Sequence, residues 1–241
     1  MPTNKTFKIK GMHCASCASI IEKTLKKTEG VESAEVSYGT EAVKLSFDET
    51  KISLAQLSEK IEKFGYSLIL PTAESMNMSE SEHAEHLGLN QSKKEKLAEL
   101  KDMRNKVISA IPLAVISIFV MGWDIFAELG KAPEMPLVWS EFFHHLLPVM
   151  ATYMLFVVGK PYLQGIYRFF RYGKANMDTL IGIGTSVAFL YSFLVGAFEE
   201  TLLKGVINTE ATYFDVAIVV IAFITLGKYL EARSKLKTVM L

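Results

Sequence analysis

The first seventy residues alternate apolar and polar positions with two different periods. Period-two runs predict four strands, and two runs with apolar residues at helical spacing predict two helices, the second with Ser53 as its N-cap. The predicted strands lie at residues 5–10, 33–38, 43–48 and 66–70, and the helices at residues 17–28 and 54–64. This order (βαββαβ) is that of the α+β ferredoxin-like fold, in which two helices cover one face of a four-stranded antiparallel sheet. We therefore predict a small domain over residues 1–70.

Beyond residue 70 the pattern changes twice. Residues 71–92 are rich in Ser, Glu, Asn and Met and have no apolar period, which predicts a flexible linker. A charged run then leads into four long apolar runs, each near the length of about 20 residues that crosses a bilayer as a helix. The predicted spans lie at residues 107–126, 142–158, 179–198 and 211–230. Residues 93–241 are therefore predicted to form an all-α membrane domain of four transmembrane helices.

The second apolar run has an amphipathic extension over residues 159–173. Gly159 and Pro161 stand at its start, where a proline removes a backbone hydrogen bond and kinks a helix. Apolar residues then recur at helical spacing, which predicts a helix along the cytosolic membrane surface. Its basic residues are Arg168, Arg171 and, just beyond it, Lys174. Two interpretations are equally open: an interfacial anchor, or a positively charged docking platform for an acidic carrier or for the chain's own N-terminal domain.

Composition predicts a membrane protein, and the distribution of charge predicts its orientation. Half of the residues are apolar and 22% are charged, and the charges concentrate before about residue 105. Formal net charge is zero, so no basic field indicates nucleic acid as a partner. The first apolar stretch of sufficient length begins near Val107, so no signal peptide is predicted. Lys and Arg cluster before the first span, between spans two and three and after the fourth, so the positive-inside rule predicts that both termini are cytosolic. We expect an integral protein of the plasma (inner) membrane.

The two cysteines of the chain, Cys14 and Cys17, are spaced C-x-x-C where a strand turns into a helix. A helix N-terminus favours thiolate, which is the form that binds metal. Two thiolates suit a soft ion that needs few ligands, best copper(I), whereas zinc normally takes four ligands. A thioredoxin-type redox motif and a structural disulfide remain alternatives, although a cytosolic domain stays reduced.

Three further residues lie where the predicted spans meet water. Asp215 stands near the outer end of span four, Glu231 at its cytosolic end, and Met177 just before span three on the cytosolic side. Ionisable side chains in lipid are functional candidates because they are costly there. A thioether and a carboxylate at one membrane depth suit the transfer of a soft cation. Each residue also has an ordinary interpretation: Met177 as interfacial filler, Glu231 as a helix-end charge, and Asp215 as an acid of the first turn.

The motifs of this chain resemble those of known metal transporters. G-M-H-C-A-S-C at residues 11–17, with its βαββαβ order, resembles a heavy-metal-associated domain. A-N-M-D-T-L at residues 175–180 and L-G-K-Y-L-E-A-R at residues 226–233 extend the resemblance, over essentially the whole chain, to the N-terminal part of copper(I)-exporting heavy-metal P-type ATPases. The resemblance implies that Cys14 and Cys17 bind copper(I).

The same resemblance assigns roles to membrane residues and to a partner. It implies that Met177 and Glu231 help form the cytosolic entry site, that Asp215 lines the exit path, and that a soluble copper chaperone or another copper(I) donor supplies the ion. Two positions depart from the family pattern. Val158 stands where the family often has the first glycine of a Gly-Gly pair at the kink, and the exit acid is Asp where Glu is common.

Several parts of such a pump are absent from this sequence. It contains no C-P-C in a span, no T-G-E, no D-K-T-G and no nucleotide-binding domain. Phosphoryl transfer needs a nucleophile, nucleotide and magnesium held together, so we expect this chain alone to be inactive as an ATPase, with ATP and magnesium used only in a full-length form. Two alternatives stay open: a non-enzymatic membrane copper-binding or regulatory protein, and a fragment of a zinc or cadmium pump.

Overall fold

A computed structural model describes residues 3–69, 88–198 and 212–239 of the chain. Among the described elements, residues cluster into two compact units. The first comprises Met1–Leu97 together with Arg168–Met177, and the second comprises Ala98–Tyr167 together with Asp178–Leu241.

The N-terminal part of the first unit is an antiparallel sheet with two helices. The elements follow in the order β1 (Thr3–Lys10), α1 (Ala15–Lys26), β2 (Val31–Ser37), β3 (Ala42–Phe47), α2 (Leu54–Glu62) and β4 (Ser67–Ile69). The strand order in the sheet is β2-β3-β1-β4, and all three neighbouring pairs are antiparallel. The predicted ferredoxin-like fold is therefore confirmed.

The core of this sheet-and-helix layer follows from the two periods of the sequence. Ile21 and Leu25 on α1 and Ile61 on α2 are fully buried, and they lie in one cluster with the inward residues of the strands, such as Val43. Ser53 caps α2 as predicted: its hydroxyl accepts from the backbone N–H of Gln56, and the side chain of Gln56 accepts from the backbone of Ser53. This reciprocal pair satisfies two backbone donors that a helix start otherwise leaves without partners.

Long helices make up the rest of the described chain. They are α3 (Gly88–Glu128), α4 (Leu137–Tyr153) with a π-helical turn (Met154–Val158), α5 (Lys160–Tyr172), α6 (Met177–Phe198) and α7 (Phe214–Val239). In the second unit, α7 packs on α4 and on the π-helical turn, and Met154, Ile218 and Ile221 are fully buried there. The predicted linker lies outside the described residues up to residue 87, and its last five residues, 88–92, belong to α3.

Three of the described helices are long and apolar enough to cross a membrane: Leu97–Glu128, Leu137–Val158 and Met177–Ala197. They contain the first three predicted spans. The fourth predicted span is not among them, because each eighteen-residue stretch of α7 carries at least three charged residues, beginning with Asp215, Lys228 and Glu231. It stays a prediction.

The break after the second span contains a π-helical turn that was not predicted. The N–H of Gly159 donates to the carbonyl of Met154, five residues earlier, at 2.7 Å, which closes a π-helical turn. A Cβ at residue 159 would lie 2.7 Å from the carbonyl oxygen of Leu155, so glycine is required there. Pro161 lies in the first turn of α5, where its missing N–H removes no helical bond. The break thus contains a π-helical turn, Gly159 and Pro161, and the part that the proline plays in the kink stays a prediction.

Candidate metal centre

The cysteine loop lies between β1 and α1 and rests on the turn between α2 and β4. Gly11 has a φ of +92°, and a Cβ there would come within 2.5 Å of the carbonyl oxygen of Gly65. Only glycine combines this backbone conformation with so close an approach. Met12 is buried in the core beneath the loop, whereas His13 is exposed. The loop is thereby held on the domain while its tip faces outward.

The two sulfur atoms are brought together at the start of α1. Cys14 is the N-cap residue, with extended backbone, and its carbonyl accepts from the backbone N–H of Cys17 at 3.1 Å. The Sγ atoms of Cys14 and Cys17 are 2.8 Å apart, and both cysteines are free. Cys17 is 1% exposed on the buried face of α1, whereas Cys14 is half-buried outside the helix. Cys14 is therefore the more accessible of the two sulfurs.

Hydrogen bonds make this pair one thiol and one thiolate. The pKa of Cys17 is lowered to about 5, first by the hydrogen bond from the Cys14 thiol, and then by donation from the Tyr66 hydroxyl and the backbone N–H of His13. The pKa of Cys14 is raised because its proton is held in the bond to Cys17 and because the residue is partly buried. The pKa of Tyr66 is raised first by burial and then by its bond to Cys17. The pair thus holds one proton and one negative charge at neutral pH.

The donor set suits a soft ion with few ligands. Metal–sulfur bonds of about 2.3 Å, the length found for zinc thiolates, would place two sulfurs roughly 3.8 Å apart in tetrahedral and roughly 4.6 Å apart in linear geometry. Both values exceed the observed 2.8 Å, so metal binding requires the two sulfurs to separate. Within the described residues no group of three or more His, Cys, Asp and Glu side chains could hold a metal ion together.

Residues Arg168–Met177 belong to the same compact unit as the cysteine loop. The backbone N–H of Met177 donates to the sulfur of Cys14, and Asn176 bonds to Tyr66. The Tyr172 ring meets Phe64 edge-on, with centroids 5.6 Å apart. The guanidinium of Arg168 occupies the space where a side chain at Gly65 would lie. Met177 is thereby adjacent to the cysteines, a juxtaposition that sequence reasoning did not predict.

The other predicted ligands lie in the second unit. Asp215 is half-buried in the first turn of α7, where one carboxylate oxygen accepts from the N–H of Val216 at 2.8 Å. Glu231 is exposed, and its carboxylate lies 3.2 Å from the ammonium of Lys235, one turn later. The roles predicted for Met177, Glu231 and Asp215 remain predictions.

One residue of the site, Tyr66, had been predicted only as part of the last strand. Nothing in its local sequence links it to the cysteines, fifty residues earlier, because the link is made by the pairing of β4 with β1. The only sequence signal is the position of Tyr66 directly after Gly65, the residue on which the cysteine loop rests.

Residues 6–67 match the family of heavy-metal-associated domains. Together with the strand order and the free C-x-x-C pair, this match defines the N-terminal part of the chain as a heavy-metal-associated domain.

The similarity extends along nearly the whole chain. Over 235 residues, 95% of its length, the chain is 31% identical to a copper-exporting P-type ATPase of Bacillus subtilis (strain 168). Over 231 residues it is 32% identical to the copper-exporting P-type ATPase of a Staphylococcus epidermidis strain. The chain spans 26% of the length of either relative. Its predicted resemblance to heavy-metal P-type ATPases of the copper-exporting class is therefore confirmed.

Solved structures resemble the first domain. The N-terminal domain of a potential copper-translocating P-type ATPase from Bacillus subtilis, in its Cu(I)-loaded state, is 41% identical, with coverage of 28% of this chain and 85% of that one and a TM-score of 0.27. The CopZ metallochaperone is 30% identical, with coverage of 28% of this chain and all of that one and a TM-score of 0.27.

Proposed function

We propose that this chain binds copper(I) at Cys14 and Cys17 and acts as the N-terminal part of a copper-exporting P-type ATPase. The observation that carries the proposal is the pair of free cysteines at the start of α1, with Sγ atoms 2.8 Å apart. Copper(I) is the cargo, and its export uses ATP and magnesium in a full-length form. The motifs for phosphoryl transfer are not in this sequence.

The pair takes up copper by thiolate exchange. Cys14, the more accessible sulfur, loses its proton and forms the first bond to an ion held by a donor. The Cys17 thiolate, whose pKa is lowered, forms the second bond, so uptake releases one proton. The donor is a soluble copper chaperone or another copper(I) carrier in the cytosol.

The next acceptor in the proposed relay is Met177, followed by Glu231. A thioether holds copper(I) without a charge and so releases it more readily than a thiolate pair does. The hydrogen bond between the Met177 backbone and the Cys14 sulfur supports this step. Asp215, at the far end of α7, serves the exit side.

The basic platform of Arg168, Arg171 and Lys174 is proposed to receive the chain's own first domain. The packing of Tyr172 on Phe64 and of Arg168 on Gly65 supports this occupant. An incoming carrier then competes with the first domain for the same surface. Reversing the three basic residues to Glu should release the first domain and slow copper transfer from it to the rest of the chain, and a Lys160→Glu control, exposed at the start of α5, should not. Equal rates for both variants would contradict the platform.

A copper(I) titration of the detergent-solubilised chain tests the central proposal. We expect one ion to be held against a copper(I) chelator by the unaltered chain and by Ser16→Ala, an exposed change in the first turn of α1. Cys14→Ser and Cys17→Ser should each lose that ion. Retention of copper by both cysteine variants would refute the site.

Two further titrations separate the alternatives. A zinc-pump fragment should hold zinc in competition with copper(I), whereas the proposed site should exchange zinc for copper(I). A redox motif should cycle between dithiol and disulfide in a glutathione buffer without any metal dependence. Zinc retention or metal-independent cycling would each replace the copper proposal.

A further inference from the structure

One lysine of α7 contacts both α5 and α6 in the second unit. The Lys228 ammonium pairs with the carboxylate of Asp178, in the first turn of α6. It also lies 4.9 Å from the centroid of the Tyr162 ring, in the first turn of α5. The side chains of the ion pair are only 12% and 13% exposed. The Tyr162 hydroxyl is 3.1 Å from Oγ1 of Thr225, which lies almost one turn before Lys228 on α7.

The two partner helices approach each other closely at this point. A Cβ at Gly182 would lie 2.5 Å from the carbonyl oxygen of Tyr162, and a Cβ at Gly165 would lie 3.0 Å from the backbone carbon of Asp178. The Thr179 hydroxyl donates to the carbonyl of Gly165 at 3.2 Å. Backbone thus packs on backbone where α5 and α6 cross, because glycine lets two helices approach closely.

A buried ion pair is well suited to fix one register at so close a crossing. Compared with apolar side chains of equal size, a buried pair adds little stability, but it fixes one register because any other leaves a charge without its partner. That penalty is larger beside lipid, where water does not solvate the separated charges. Lys228 also attracts the electron-rich face of the Tyr162 ring. One side chain therefore fixes the first turns of two helices.

We propose that Lys228 is a positioning residue that fixes the start of α6 against α5 and α7, and with it the backbone of Met177, the residue directly before Asp178. The claim about Met177 rests on the proposed function, because Met177 matters for copper only as the entry ligand. The claim about the start of α6 concerns only helix register within the second unit. The pair acts as an outer shell to the ligand: it does not bind copper, but it orients a residue that does.

Spin-label distances test the register directly. Labels are placed at Leu180→Cys on α6 and Phe223→Cys on α7, both exposed positions, in the full chain with Cys14→Ser and Cys17→Ser. We expect one narrow distance distribution in this background and in Lys228→Arg, which keeps the charge. Asp178→Asn with Lys228→Met removes both charges together and should broaden the distribution while the melting temperature is kept. Lys160→Met, an exposed lysine of α5, is the matched control and should change nothing.

The effect on Met177 as a ligand is tested by the copper(I) affinity of the chain with Cys14→Ser and Cys17→Ser, without labels. Loss of an outer-shell partner typically weakens metal binding about 10- to 100-fold, and we expect a loss in that range for the doubly neutral variant and recovery in the charge-reversed pair Asp178→Lys with Lys228→Asp. A narrow distribution in the doubly neutral variant would overturn the positioning role. A broadened distribution with unchanged copper affinity would support the positioning role and refute Met177 as an entry ligand, so the two failures are distinguishable.

Discussion

Replacing Tyr66 with Phe should raise the pKa of the Cys17 thiol. The change removes the hydroxyl that donates to the Cys17 sulfur and keeps the ring, which is only 3% exposed. A hydrogen bond to a charged group contributes about 1.5–3 kcal/mol, and one pKa unit corresponds to about 1.4 kcal/mol. The pKa of Cys17, lowered to about 5 in the unaltered chain, should therefore rise by about one to two units. The thiolate absorbance of the metal-free chain, followed against pH, measures this shift.

Two comparisons make that measurement decisive. Tyr38→Phe is the matched control, because the Tyr38 hydroxyl donates to the carbonyl of His13 and not to sulfur; it should leave the titration unchanged. Cys14→Ala removes the larger contribution to the lowered pKa of Cys17 and should shift the titration further than Tyr66→Phe does. A Tyr66→Phe titration identical to that of the unaltered chain would refute the hydrogen bond as a cause.

The lowered pKa also determines how stability depends on pH. Between about pH 5 and about pH 8.5, the ordinary pKa of a thiol, the unfolded chain keeps the proton that the folded Cys17 has lost. Stability contributed by Cys17 therefore rises with pH across this window and is lost as the pH falls through 5. Tyr66→Phe should move the lower edge of the window upward, and urea unfolding at pH 5 and pH 7 checks the direction.

Three changes test the packing around the site. Ser53→Ala removes the cap of α2 and should cost about 1 kcal/mol of stability; unchanged hydrogen-exchange protection of α2 would show that the cap is dispensable. Leu25→Ala empties a fully buried position and should cost about 2–5 kcal/mol, measured by urea unfolding; a loss no larger than that of an exposed substitution would contradict the assigned core. Gly182→Val places a side chain against the Tyr162 carbonyl and should reduce the yield of folded chain, unlike Gly184→Val, where the space is open; equal yields would contradict the close approach.

Local patterns predicted the first domain because its information is local. Three patterns in this domain involve residues only a few positions apart, so each is visible in the sequence. They are the alternation of strand residues, the Ser53 cap and the spacing of Cys14 and Cys17. The partners of those residues come from distant segments. Tyr66 reaches Cys17 through the pairing of β4 with β1, and no periodicity within either segment specifies that contact.

The predicted spans show the same difference between local patterns and contacts with distant segments. Length and apolar content predicted the first three spans. Both are sums over neighbouring residues, so neither depends on contacts between distant segments. The break at Gly159 was placed correctly in the sequence, but its π-helical turn was not predicted, because such a turn depends on which carbonyl each N–H selects. Asp178 and Lys228 form an ion pair although they lie fifty residues apart in sequence, and this pair was not predicted.

The charges that keep α7 from resembling an ordinary apolar span are also those with the strongest claim to a function. Within the described part of α7, the Lys228 ammonium has the Asp178 carboxylate as partner, Glu231 has Lys235, and Asp215 accepts from the N–H of Val216. Each of these contacts lowers the cost of placing a charge beside lipid, which favours the prediction that α7 crosses a membrane. In such a helix a charged side chain costs more free energy than an apolar side chain does. We therefore expect substitution of these residues to affect copper transfer more than it affects insertion of the helix, and comparison of membrane insertion with copper binding in Glu231→Gln checks that expectation.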